Sequence, residues 1–342
     1  MDKDKKEFTE SIPSKKKKSK LRKVLLCIGL VVILIISGGL GYIYFTLSKV
    51  NKNVIDNSDK GVGITNEVKQ KIAEIKDPPI NIALFGLDRR SKNENGNSDT
   101  IMVVTIDKEH KKIKLTSIMR DSRVPVPGHG LNKINSAYQY GGPQLAIKTI
   151  NQDFGLAIKD YVSVDFFDMD KIINELGGVE INVKQDEIKY INSYQVETAS
   201  IEKVTPVSVT RAGLQNLNGL QAVGYSRIRY IGNDQQRTER QRTVLTALLN
   251  KVMNGGVASY PSTANKLLPL FETNLSMTDI ISLGVNTLNS GTKNIVQLRF
   301  PLDSELTTPT INNISYVVYD VDVVKKQLFD YIYNDITPQE KK

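Results

Sequence analysis

Cysteine occurs once in the chain, at Cys27, histidine only at His110 and His129, and tryptophan not at all. Cys27 follows Leu26 near the start of an apolar run, whereas a lipoprotein cysteine ends such a run behind a small residue. No cysteine lies beyond it, so disulfides and thiol chemistry are excluded from residue 28 onward. Neither histidine stands beside a nucleophile or a second ligand, which argues against a histidine metal cage or a Ser-His-Asp triad. A Walker-type phosphate loop is missing too. Acid, base and charge work must fall to Asp, Glu, Arg and Lys. Acidic side chains are in deficit, 37 against 46 basic, giving +9 over 342 residues. Residues 1–23 hold ten Lys or Arg and four Asp or Glu, so +6 of that +9 belongs to a tail. The 40% hydrophobic content is enough for a sizeable core and excludes a disordered chain.

Val24 to Phe45 is 22 residues without a charge. As a helix it reaches about 33 Å, enough to span a bilayer. The preceding lysines stay cytoplasmic under the positive-inside rule, which places everything after about Ser48 outside. Gly39 and Gly41 resemble a cleavage site, but the run exceeds a usual signal core, so a retained signal-anchor is expected. The organisation is then a cytoplasmic tail over 1–23, a transmembrane helix over 24–45, a polar stalk over 46–79 with one short helix near Asn66–Lys76, and a folded extracellular domain over 80–342.

Within that domain, apolar alternation or β-branched runs predict strands at 80–85, 100–106, 112–118, 161–164, 179–183, 204–209, 295–300 and 315–319. Helical spacing predicts helices at 133–140, 143–154, 166–176, 235–254, 263–271, 278–289 and 323–333. Interleaved strands and helices predict an α/β fold: one central, mostly antiparallel or mixed sheet flanked by helices.

The first three strands carry a geometric expectation. If the first two are antiparallel neighbours, Asp88 and Asp99 meet at one edge of the sheet, and the third strand returns Arg120 and Asp121 to it. Paired carboxylates without His or Cys suit a hard cation, Mg²⁺ or Mn²⁺, that also takes substrate phosphate oxygens. The plainer alternative is that Asp88 and Asp99 are turn and cap residues. Downstream stands an arginine cluster: Arg227, Arg229, Arg237, Arg240 and Arg242. If 224–231 is extended, Arg227 and Arg229 share a face. On the following helix Arg237 and Gln241 fall on the side of the apolar stripe, with Arg240 at its margin and Arg242 at the opposite margin. Arginines there, in the first turns of a helix, suit bidentate phosphate binding; surface salt bridges are the alternative. Lys133 adds a further phosphate contact or is a plain surface lysine.

These segments resemble the LytR-CpsA-Psr family of Gram-positive cell-envelope proteins. The matching stretches are Asn81–Arg90, Ser98–Met102, Ser117–Asp121, Lys133–Tyr138, Gly141-Gly142, Gly177–Val179, Leu217–Gly219, Tyr225–Arg229 and Asp234–Gln241. Two departures are Met119, where the family usually has proline, and Gln235-Gln236, where it often has an aromatic and glycine. The resemblance implies a hydrophobic channel for a polyprenyl chain. It also implies transfer of a glycopolymer (teichoic acid, capsule or another wall polysaccharide) from undecaprenyl pyrophosphate to a muramic-acid hydroxyl of peptidoglycan. Asp88 and Asp99 would hold Mg²⁺. Arg120, Arg227, Arg229, Arg237 and Gln241 would grip the pyrophosphate, with Arg90, Lys133 and Arg240 as weaker candidates. Arg120 and Arg227 would act in catalysis, and Asp121 is a candidate base or an arginine's partner. Three alternatives stay open: a polyprenyl-pyrophosphate hydrolase, a membrane-bound transcriptional regulator and a wall-binding scaffold. Anionic lipid headgroups account for the lysine tail as well as DNA would, so nucleic acid is not an expected partner.

Overall fold

The computed structural model describes residues 51–52, 54–89, 91, 94–229, 231, 234–254, 266–275, 277–292 and 294–339. The tail over 1–23, the span expected over 24–45 and Arg90 lie outside them. Among the described residues no helix is long and apolar enough to cross a membrane.

A seven-stranded mixed sheet organises the domain. Its backbone is a meander of β2 (Ile80–Asp88), β3 (Asn97–Asp107) and β4 (Lys112–Ile118), paired antiparallel, the condition on which the geometric expectation rests. β7 (Asp160–Asp165) joins β2 in parallel, and β11 (Asn294–Phe300) joins β4 in parallel. β10 (Glu272–Thr273) and β1 (Asn51–Lys52) extend the β7 edge. The order is β1-β10-β7-β2-β3-β4-β11. Two small antiparallel pairs stand apart: β5 (Arg123–Val126) with β6 (Gly130–Lys133), and β8 (Val179–Val183) with β9 (Gly213–Leu217).

Helices cover both faces. On one side α1 (Asn66–Ala73), α2 (Ser136–Phe154) and α8 (Val321–Tyr333) bury Ala83, Phe85 and Leu87 of β2 among Val68, Ile150 and Leu328. The expected pair of helices at 133–140 and 143–154 is one element, kinked where Gly141 and Gly142 leave helical geometry ahead of Pro143. On the other side lie α3 (Phe166–Glu175), α5 (Gly219–Ser226) and the long α6 (Asp234–Asn254). There Val164, Ile172, Ala222, Val244 and Leu248 form a second core.

Three expectations fail for local reasons. Residues 54–79 are not a free stalk: Val62, Ile64 and Val68 are buried in the first core, and Asn151 donates to the Val62 carbonyl at 2.8 Å. Three apolar anchors outweigh the polar composition that suggested a linker. Residues 204–209 form no strand; they follow α4 (Ile188–Glu202), and the strand forms later as β9. Residues 224–226 are not extended but end α5. That helix begins with a capping box in which Asn218 accepts from the Gln221 amide and the Gln221 side chain accepts from the Asn218 amide. The expected strand at 315–319 divides into Ile314–Ser315 and Val318–Tyr319.

Candidate active site

The β2–β3 pairing contains one irregularity, and it builds the site. Register runs evenly to Gly86 opposite Thr100, then steps to Leu87 opposite Ser98, so Asp99 is an extra residue in a β-bulge. The next pair sets Asp88 opposite Asn97, so both carboxylates lie at the same edge of the sheet. Asp88 is exposed there, whereas Asp99 is buried.

Three guanidiniums converge on the Oδ2 atom of Asp99. Arg120, just past the end of β4, reaches it at 2.8 Å, Arg237 in the first turn of α6 at 3.0 Å, and Arg229 at 3.1 Å. Burial alone pushes the Asp99 carboxyl up; Arg120 and Arg237 outweigh that and hold it below its ordinary value of 3.8. Arg237 is itself buried, but Arg229 is half exposed and faces solvent beside the knot. Three guanidiniums thus crowd a single carboxylate oxygen in a partly desolvated place. A second tier backs them: Asp121 lies 3.6 Å from Arg120 and 2.7 Å from Lys133, which fixes Lys133 next to the cluster rather than on open surface.

Two expected members of the cluster are engaged elsewhere. Because α5 is helical to Ser226, Arg227 caps it and diverges from Arg229. Its guanidinium pairs with Glu197 at 2.9 Å, donates to Thr198 and lies 5.3 Å from both the Phe166 and Tyr194 rings. Arg240 pairs with buried Glu187 at 2.8 Å and donates to the Ile228 and Ile231 carbonyls. Its place is to brace the segment that carries Arg229. Glu197 lies 30 residues upstream of Arg227 and Glu187 53 upstream of Arg240, in α4 and its approach, out of reach of any sequence pattern. Arg89, unanticipated in the sequence, is buried on Asp165 and Glu272 and ties together the ends of β2, β7 and β10. Asp165 also caps α3, accepting from the Asp168 amide.

An apolar channel leads away from the arginines. Its throat, a cavity of about 60 Å³, is lined by Gly86, Thr100, Ser226 and Gln241 at one end and Leu84, Met169 and Leu248 at the other. It adjoins a cavity of about 370 Å³ between β2, β3, β7 and α6, lined by Ile82, Leu84, Val104, Leu245, Leu249 and Val252 among others. A third of about 450 Å³ shares Leu249, Val252 and Phe271 and runs under α7 (Met277–Asn289) to Thr287. The last two walls are almost wholly apolar, so a long hydrocarbon chain fits them and a polar ligand does not.

As a metal site, the donor set of Asp88 and Asp99 is incomplete alone. The Oδ2 atom of Asp99 is taken up by arginines, which leaves its Oδ1 and the exposed Asp88 for a cation. Those two oxygen donors fit Mg²⁺ or Mn²⁺ once phosphate oxygens complete the shell.

An arginine cluster beside apolar cavities defines the class of site, and comparison with known proteins gives the family. The model of the LytR_cpsA_psr family matches residues 42–330, and the chain belongs to that family. It is 30% identical over 282 residues to the polyisoprenyl-teichoic acid–peptidoglycan teichoic acid transferase TagT of Bacillus subtilis (strain 168), covering 79% of this chain and 83% of TagT. It is 34% identical over 230 residues to the regulatory protein MsrR of Staphylococcus aureus (strain COL), covering 66% of this chain and 65% of MsrR. Among solved structures, TagT with bound octaprenyl pyrophosphate lipid superposes with a TM-score of 0.55 at 26% identity, over 75% of this chain and 91% of that one.

Proposed function

We propose that this chain is a membrane-anchored phosphotransferase. It moves a glycopolymer from an undecaprenyl-pyrophosphate carrier onto a muramic-acid hydroxyl of peptidoglycan. One observation carries the reading: three guanidiniums gathered on one carboxylate stand beside an apolar channel. A polyprenyl pyrophosphate has the complementary halves, a dianionic or trianionic head and a long hydrocarbon tail. Its tail would lie between the sheet and α6, with its diphosphate against Arg120, Arg229 and Arg237. The relatives that carry a transferase name or a prenyl pyrophosphate ligand favour the same assignment.

In the reaction, the acceptor hydroxyl oxygen attacks the phosphorus that bears the glycan. The bond from that phosphorus to the bridging oxygen breaks, polyprenyl phosphate departs, and the hydroxyl proton passes to a base. Arg120 and Arg237 neutralise charge on the departing phosphate, and being fixed on Asp99 they need no reorganisation to do so. Asp121, between Arg120 and Lys133, is the carboxylate nearest the cluster that can accept a proton. Mg²⁺ held by Asp88 and Asp99 supplies Lewis-acid stabilisation of phosphate oxygens when bound. Residues 24–45 would anchor the domain in the cytoplasmic membrane, with the basic tail over 1–23 inside the cell and the catalytic domain outside.

The test uses full-length protein in detergent with lipid-linked glycopolymer and a glycan acceptor, with and without Mg²⁺. Covalent conjugate seen by mass spectrometry, abolished in Arg120→Ala, is the expected result. Free polymer phosphate without conjugate would make water the acceptor and the protein a hydrolase. An untouched donor would overturn the enzyme assignment.

A further inference from the structure

Outside the Asp99 knot one more arginine stands unbalanced. Arg242 lies five residues beyond Arg237 on α6, about 7.5 Å along the axis. Among the described residues it has neither a hydrogen bond nor an ion pair, and its Nε and Nη1 are shut off from solvent without an acceptor. Burial and the like charge of Arg299 push it down to about 10, so it stays cationic at neutral pH. Glu239 helps to hold that charge but makes no ion pair with it. Arg299, one residue from the end of β11, is buried as well. One of its nitrogens goes to Asp303 and another to the thioether of Met119 at 3.1 Å, a weak acceptor. The two arginines share an open cleft of about 380 Å³ with Gln236, Glu239, Gln297 and Asp303.

Holding a half-buried guanidinium without an acid, next to a second cation, costs stability that a neutral side chain would not. The fold keeps it on the helix that also carries Arg237, and Met119, the contact of Arg299, directly precedes Arg120. The cleft thus backs onto the diphosphate site without being part of it.

We propose that this cleft is a second anion subsite, in which Arg242 donates to an oxyanion of one of the two polymers being joined and Arg299 adds charge. The ligand chemistry is a phosphate diester or a carboxylate. Its sources are the phosphodiester backbone of the transferred polymer and the free carboxylate of a muramyl peptide on the acceptor. The inference rests on the transferase reading only for the identity of those sources.

The experiment is calorimetric titration of the full-length chain in detergent, as wild type, Arg242→Gln and Arg242→Lys. The probes are a glycerol-phosphate oligomer, a muramyl peptide and inorganic pyrophosphate. Loss of one charge-assisted contact predicts about 10- to 100-fold weaker binding of one of the first two probes to Arg242→Gln. Partial retention is expected in Arg242→Lys, with pyrophosphate affinity unchanged in both. Whichever probe weakens identifies the source. Arg242→Gln should also melt no lower than wild type without ligand, which shows that the weakened binding is not misfolding. Equal binding of both probes to wild type and Arg242→Gln, or no binding of either to wild type, would overturn the subsite. Failure of pyrophosphate to bind wild type would count against the Asp99 site instead, independently of the cleft.

Discussion

Two clusters of buried charge sit at opposite ends of the same strand. At the start of β3, Asp99 is outnumbered by three arginines. At its far end, about 26 Å away at the usual rise per residue, Asp107 and Asp335 meet Lys114 and Lys112. Lys114 is wholly buried, 2.8 Å from Asp107 and 3.0 Å from Asp335, and donates to the last carbonyls of α8 at Tyr331 and Ile332. Lys112 closes the set on Asp335 at 2.5 Å. Asp107, His110 and Asp335 bring ligand atoms within 4.8 Å of one another, as a metal site would. Here, however, the Lys114 ammonium already holds the position between the carboxylates. Charges match two for two, the buried Lys114 ammonium is fully supplied with acceptors, and the cluster fastens α8 to the sheet. The difference is instructive because both clusters look alike in composition. A set whose charges close on one another is structural; three guanidiniums crowded on one carboxylate oxygen beside a channel suit an anion from outside.

The sharpest way to break the comparison is Lys114→Met. It leaves buried Asp107 without its lysine and Asp335 with Lys112 alone, and should cost about 3–5 kcal/mol in urea unfolding; a loss below about 1 kcal/mol would contradict the structural role. Arg237→Ala should act in the opposite register. It should lower transfer about 10²- to 10³-fold while leaving the urea midpoint close to wild type, and a large midpoint shift would make it a structural residue like Lys114. Asp99→Asn leaves three arginines facing one another, so its melting temperature should fall and excess inorganic pyrophosphate should restore it. Lys114→Met should show no such rescue.

Acid titration separates the clusters further. Asp107 and Asp335 are raised by burial but held below 3.8 overall, chiefly by hydrogen bonds from Lys114 and, for Asp335, Lys112. Groups depressed in the folded state stabilise above their unfolded value, so this contribution should vanish as pH falls below about 4. Lys114→Met should flatten that limb. The smallest effect is expected at Asp153, a buried carboxylate with one unpartnered oxygen, which burial pushes up to about 7 despite Lys325. Here the sign reverses: stability is complete below the unfolded value and declines as pH rises through about 7. Asp153→Asn should therefore stabilise at pH 8 by about 1–2 kcal/mol, by less at pH 5 and not at all below about pH 4.

The meander β2–β3–β4 was legible because two alternating segments flank a continuous β-branched run, and antiparallel pairing alone brings Asp88, Asp99 and Arg120 to one edge. The bulge that singles out Asp99 was not legible, since a one-residue step leaves no compositional trace. The arginines divided for a physical reason: helix propensity and a capping box around Asn218 decide where Arg227 points, and a distant glutamate decides where Arg240 goes. The lining of the channel escaped because Leu245, Leu248 and Val252 make the same stripe whether they meet a core or line a void. Residues 54–79 were misjudged because composition averages over a segment, while three buried anchors determine where it lies.

Gly86 faces Thr100 so closely that a methyl group on it would lie 2.8 Å from the Thr100 Cβ. Both residues line the throat between the arginines and the wider cavities. That bare backbone acts as an aperture stop. A single isoprenoid strand, one methyl-branched chain wide, is expected to thread it, whereas a carrier with two acyl chains side by side should be halted at the rim. In this view lipid selection belongs to the glycine rather than to the leucines beyond it, and Gly86→Ala would narrow the aperture without changing a single charge.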